Sequence, residues 1–144
     1  ITFDKLVDWT QHEEPGIKFY SGKAAYTKKF DAPGELIEPG NRIYLDLGSL
    51  RSIAEVRLNG NDLGVLWSPP WRVEVTGKRK PTNNELEIDI TNVWANRIIG
   101  DAALPEQQRL TWTSLSDTIS ALKPGQKLVP SGLYGPVKLC VESN

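Results

Sequence analysis

The chain has 144 residues, with 17 basic and 18 acidic side chains and a net charge of −1. That balance supplies neither a basic stripe for nucleic acid nor a polybasic patch for a membrane surface. No apolar run approaches the ~20 residues that a spanning helix requires, and the single cysteine, Cys140, excludes an internal disulfide or a multi-cysteine metal site.

The length suits one domain over 1–144, large enough to bury roughly 68–70% of its unfolded surface around a single core. The opening ITFDKLVDW has no initiator methionine and no signal-peptide pattern. It is expected of a piece of a larger polypeptide.

Period-two alternation recurs along the chain. AYTKKF (25–30) reads as a first strand, and the turn signals Ala32-Pro33-Gly34 and Pro39-Gly40-Asn41 follow it. In RIYLDL (42–47), Ile43, Leu45 and Leu47 share one face; in IAEVRL (53–58), Ala54, Val56 and Leu58 do the same. Asn59-Gly60 then predicts a tight hairpin, because both residue types tolerate the positive φ such a turn needs, with a return strand over 63–66. ELEIDI (85–90) places Leu86, Ile88 and Ile90 inward and Glu85, Glu87 and Asp89 outward. VKLCVE (137–142) places Val137, Leu139 and Val141 inward and Cys140 outward. These are half-buried strands of antiparallel sheets. Helical spacing shows weakly over 114–122. Many short strands with Gly/Pro punctuation predict an all-β sandwich of jelly-roll type.

Catalytic signatures are sparse. His12 is the one histidine, so a histidine-dependent triad would rest on it alone, and there is no GxSxG elbow, Walker loop or GxGxxG. Most acids are accounted for as outward strand residues; Asp101 stands apart in a loop-like context. No catalytic residue, metal ligand set or cofactor is assigned. Asn59, Asn61 and Asp62 have a spacing that can supply oxygens to a structural calcium, although a plain hairpin explains them as well.

The five tryptophans are more informative. Trp67 and Trp71 bracket Pro69-Pro70, where no regular ladder can run. Either they form a stacking platform or they plug one end of the fold. TNVWANRIIGD (91–101) joins Trp94 to Asn96, Arg97 and Asp101, a combination that can stack a sugar face and hydrogen-bond its hydroxyls. Arg97 and Asp101 are equally suited to an ion pair that fixes the loop.

WTQHEEPGIKFYSGKAAYTKKF resembles the start of the sugar-binding jelly-roll domain of glycoside hydrolase family 2, and LDLGSLRSIAEVRLNGNDLGVLWSPPWRVEVT resembles its central stretch. NELEIDITNVWANRIIGD and VPSGLYGPVKL are similar to sandwich domains of the rhamnosidase-like enzymes of family 106. The resemblance implies a galactose-binding-like β-sandwich, non-catalytic, attached to a catalytic barrel within an exported bacterial glycoside hydrolase. It adds Asn92 to the carbohydrate-binding candidates Trp67, Trp94, Asn96, Arg97 and Asp101, since a comparable loop in family 2 reaches toward sugar. It also implies that the link through Pro69-Pro70 crosses between sheets, with Trp71 packed in the core and Trp67 partly exposed. The alternative is an autonomous carbohydrate-binding module.

Overall fold

A computed structural model describes residues 2, 4–32, 40–111 and 125–142. Trp112 and the weak helical pattern over 114–122 lie outside the described residues, as do Pro33, Gly34 and Pro39 of the two early turn signals.

Among the described residues, nine strands form three antiparallel sheets. The largest has the order β1 (Lys23–Phe30), β7 (Asn84–Thr91), β4 (Ile53–Leu58), β5 (Asn61–Leu66). A second has the order β6 (Arg72–Glu74), β2 (Arg42–Asp46), β9 (Lys138–Glu142), and β3 (Ser49–Arg51) pairs with β8 (Gly132–Gly135). The α-helices α1 (Pro15–Lys18) and α2 (Ala95–Ala102) interrupt the β pattern.

The predicted inward rows meet in one core. Ala54, Val56 and Leu58 of β4 and Leu86, Ile88 and Ile90 of β7 are all buried, and they pack with Ile43 and Leu45 of β2 and Val75 after β6. Each fully buried Val, Leu or Ile contributes about 1.5–3 kcal/mol of transfer free energy. This is the expected β-sandwich. The hairpin also forms as its sequence dictates: Asn59 and Gly60 take φ of 53° and 77°, and Leu58 pairs with Asn61. Pro69-Pro70 carries the chain from β5 in the first sheet to β6 in the second. Trp71 packs against the core, and its carbonyl accepts the Leu47 N–H at 2.8 Å.

Three expectations need correction. Asp89 lies on the outer row of β7 yet is buried, because Lys23 Nζ and Arg57 Nη2 close over it at 2.9 and 2.7 Å. Val141, expected inward, is exposed near the end of edge strand β9. The segment after β7, expected as a loop, contains helix α2.

Gly48 shows how closely two backbones approach where β3 begins to pair with β8. It has φ of 67°, and a Cβ there would sit 2.5 Å from the Gly135 carbonyl carbon. Backbone cannot yield as a flexible side chain can, so this site admits glycine alone.

We expect Ile90→Ala, at a fully buried position, to cost about 2–5 kcal/mol in urea unfolding. Val65→Ala, on the exposed side of β5 in the same sheet, should stay within about 0.5 kcal/mol. The two midpoints, followed by tryptophan fluorescence, check the inward row directly.

Candidate functional site

The 91–101 segment starts where β7 ends. Asn92 does not face solvent with free polar groups: its Oδ1 accepts the Gly22 N–H at 2.8 Å, and its Nδ2 donates to the Tyr20 carbonyl at 2.8 Å. It ties the end of β7 to the turn entering β1.

Trp94 then occupies the N-cap position of α2, with no side-chain capping bond, and its ring is 57% exposed. The helix buries Ile98 and Ile99. It passes so close to Phe19 that a Cβ on Gly100 would lie 2.6 Å from the ring.

Asn96 is fully buried. Its Nδ2 donates to the Val129 carbonyl at 2.7 Å and to Ser131 Oγ at 3.1 Å, while its Oδ1 accepts the Val129 N–H at 2.8 Å. Asp8 grips the same strap from the other side, its Oδ1 accepting the Ser131 N–H at 3.0 Å. One amide side chain thus replaces a strand partner for an irregular segment whose backbone groups would otherwise be buried unpaired.

Asp101, 2% exposed, does the equivalent for the segment after α2. Its Oδ2 accepts the N–H groups of Leu110 and Thr111 at 3.1 and 2.8 Å and the Thr111 hydroxyl at 2.6 Å. Its Oδ1 lies 2.7 Å from Arg97 Nη2, one helical turn earlier. That contact pairs the two charges, and among the described residues no well-aligned hydrogen bond to Oδ1 is found. Burial pushes the Asp101 carboxyl up, but the Thr111 bonds and the Arg97 charge together outweigh it and hold the group below the ordinary carboxylate range.

Of the six carbohydrate-binding candidates, then, Asn92, Asn96, Arg97 and Asp101 are engaged within the chain, and Asp101 sits on a helix rather than in a loop. Trp67 and Trp94 remain outward, and Trp67 is 80% exposed. The antiparallel registers bring these two to the same end of the large sheet: Ile53 pairs with Thr91, and Ala54 pairs with Leu66.

The signal for α2 was present but faint. Arg97 and Asp101 stand four apart, which on a helix makes them neighbours. What sequence reasoning missed was Asp8, Ser131 and Thr111, whose roles arise only from distant partners.

The turn whose spacing could supply oxygens to a calcium spends its side chains on stitching. Asn59 bonds Lys78 and Asn84, Asn61 donates to the Leu58 carbonyl, and Asp62 accepts the Gly64 N–H. Among the described residues, no three His, Cys, Asp or Glu side chains converge on a metal position. His12 sits in the turn before α1, its Nδ1 accepting the Glu14 N–H at 3.1 Å. A cleft of about 1210 Å³ opens on the flank between β1 and β9, walled by core side chains such as Tyr26, Phe30, Leu45 and Leu139. Tyr134 lines it with a buried hydroxyl that has no hydrogen-bond partner among the described residues; burial, followed by the Asp8 charge, pushes this phenol up to about 12.

Two predictions follow from the clamps. Asn96→Ala should cost on the order of 2–3 kcal/mol in chemical unfolding, because it leaves the part-buried N–H and carbonyl of Val129 without their partner. Asp89 is also held below its ordinary value, first by Lys23 and then, against its burial, by Arg57. Depressed carboxylates contribute stability above their unfolded value that is lost as pH falls through the folded one. The chain should therefore lose stability below about pH 4 in circular-dichroism melts, and Asp101→Asn should show a lower neutral-pH stability with a shallower acid decline.

Comparison with known proteins agrees with this architecture. Residues 8–120 match the family described as glycosyl hydrolase 2 galactose-binding domain-like. A Formosa agariphila protein, provisionally named as a beta-glucuronidase, is 41% identical over 160 aligned positions, which cover 98% of this chain and 14% of that protein. The structure of a rhamnosidase from Novosphingobium sp. PP1Y superposes with a TM-score of 0.87 at 35% identity, covering 99% of this chain and 13% of that one. A Bifidobacterium dentium beta-glucuronidase structure matches 58% of the chain at 25% identity, with a TM-score of 0.50. The chain thus spans about one seventh of the proteins it matches. Its sandwich, its ordered motifs and the match over most of its length show that it belongs to the glycosyl hydrolase 2 galactose-binding domain-like family.

Proposed function

We propose that the chain is the non-catalytic accessory sandwich of a larger, exported glycoside hydrolase, acting on a rhamnoside, galactoside or glucuronide and supporting a catalytic barrel carried elsewhere in the same polypeptide. The observation that carries this reading is the use made of its polar residues. Asn96 and Asp101, the candidates best suited to grip sugar hydroxyls, are buried and clamp segments 129–131 and 110–111. A site for acid–base chemistry needs groups free to exchange protons with a substrate, and these carboxylates and amides are committed to the fold. The small share that the chain makes up of its relatives supports the same reading.

A second reading, an autonomous carbohydrate-binding module, has a specific observation behind it. Trp67 and Trp94 are exposed rings at one end of the sheet, and flat apolar rings can stack on sugar C–H faces.

The scaffold reading predicts no turnover of aryl rhamnosides, galactosides or glucuronides by this chain; hydrolysis proportional to its concentration would contradict it. It also predicts flat calorimetric titrations with rhamnose, galactose and pectin fragments. Saturable binding abolished by Trp94→Ala, with folding intact, would establish the module reading instead.

A further inference from the structure

Five of the nine exposed large apolar side chains among the described residues belong to one end of the large sheet: Ile53, Val65, Trp67, Val93 and Trp94. The registers explain the gathering. Ile53 opens β4 beside Thr91, which closes β7, and Val65 pairs with Glu55 on β4. Trp67 leaves β5 at that same end, and Val93 and Trp94 leave β7 there. Two largely exposed indole rings with three aliphatic side chains present several hundred Å² of apolar surface, on the order of the largest patch that a typical monomer shows.

The polar groups beside this patch are already satisfied. Lys23 pairs with Glu55 and Asp89, and Arg57 pairs with Glu55, Glu87 and Asp89, so the neighbouring charges of the outer face are engaged with one another within the sheet. Asn92 is held by Gly22 and Tyr20, and the Ser21 hydroxyl donates to the Val93 carbonyl at 3.2 Å. An occupant that must be gripped through hydroxyls, as a glycan must, finds few donors or acceptors to spare. An apolar protein face needs none.

We infer that this end of the sheet is a docking face, and that its occupant is an apolar surface of a neighbouring domain in the same polypeptide. The inference rests on the reading of the chain as part of a longer glycoside hydrolase. In the Novosphingobium structure and the Formosa relative, the matched region is 13% and 14% of the whole, so a large remainder exists there to cover such a face. Trp67 and Trp94 are its anchors, since buried aromatic residues dominate contacts of this kind.

Hydroxyl-radical footprinting tests the face, applied to the 144-residue chain alone and to the longer polypeptide that carries it. Both rings should label readily in the short chain and about tenfold more slowly in the long one, because a docked face excludes water. Exposed Leu110 serves as the internal reference. Equal labelling in the two would overturn the inference. So would protection that appears in the short chain alone, whether from self-association on concentration or from added oligosaccharide, because a second copy or a glycan would then be the occupant. Aryl-glycoside hydrolysis by the longer polypeptide is scored separately. Activity with unprotected rings defeats the docking face while leaving the enzyme reading intact. Protected rings without glycoside hydrolysis defeat the enzyme reading and leave the docking face standing.

Discussion

The pairing of β4 with β7 sets the terms for everything around it. Both strands present an unbroken apolar row to the core, and both lie inside the four-stranded sheet, so neither has a free edge. A slip of one residue would turn Leu86, Ile88 and Ile90 to the outer face and bring Glu87 and Asp89 into the core, so the register is tightly determined. The outer row has its own requirement, met when Lys23 from β1 and Arg57 from β4 converge on Asp89. With the inner face filled and the outer face knitted by ion pairs, the apolar side chains left outward gather at one end of the sheet.

The end where β7 finishes has two kinds of residue with opposite orientation. Asn96 and Asp101 turn inward and supply hydrogen bonds to chain segments that have no strand partner of their own. Trp67 and Trp94 turn outward. The same short stretch therefore reads as a structural clamp through its amides and carboxylates and as a contact surface through its indoles. That division favours a scaffold that docks over a module that grips glycan.

Much of this was legible in the sequence. Strict alternation in 53–58 and 85–90 located the two central strands because both faces obey one periodicity, and Asn59-Gly60 located the hairpin because few residue pairs accept its backbone geometry. Pro69-Pro70 marked a break in the ladder for a similarly local reason, while the crossing between sheets came from the family resemblance. Helix α2 was only faintly legible: eight residues long, it follows an N-cap, Trp94, that makes no side-chain capping bond, and it carries Gly100 in its interior. The burial of Asp89 was not legible, since it depends on a cation 66 positions earlier in the chain. The candidate site shows the same limit. Trp, Asn, Arg and Asp in one segment suit a sugar site and a loop clamp equally, and only the position of Val129, Ser131 and Thr111 decides where the polar atoms go.

The central claim is that the polar side chains of α2 belong to the fold. Native-state hydrogen exchange of the Val129, Leu110 and Thr111 amides measures it most directly, because each amide donates to Asn96 or Asp101 and lies outside every strand. The account predicts slow exchange for all three, approaching that of the β4 and β7 amides, with Val129 freed in Asn96→Ala. Exchange at the rate of open loops in the unmodified chain would mean that these side chains are not clamps, and would return them to the pool of groups available for a ligand.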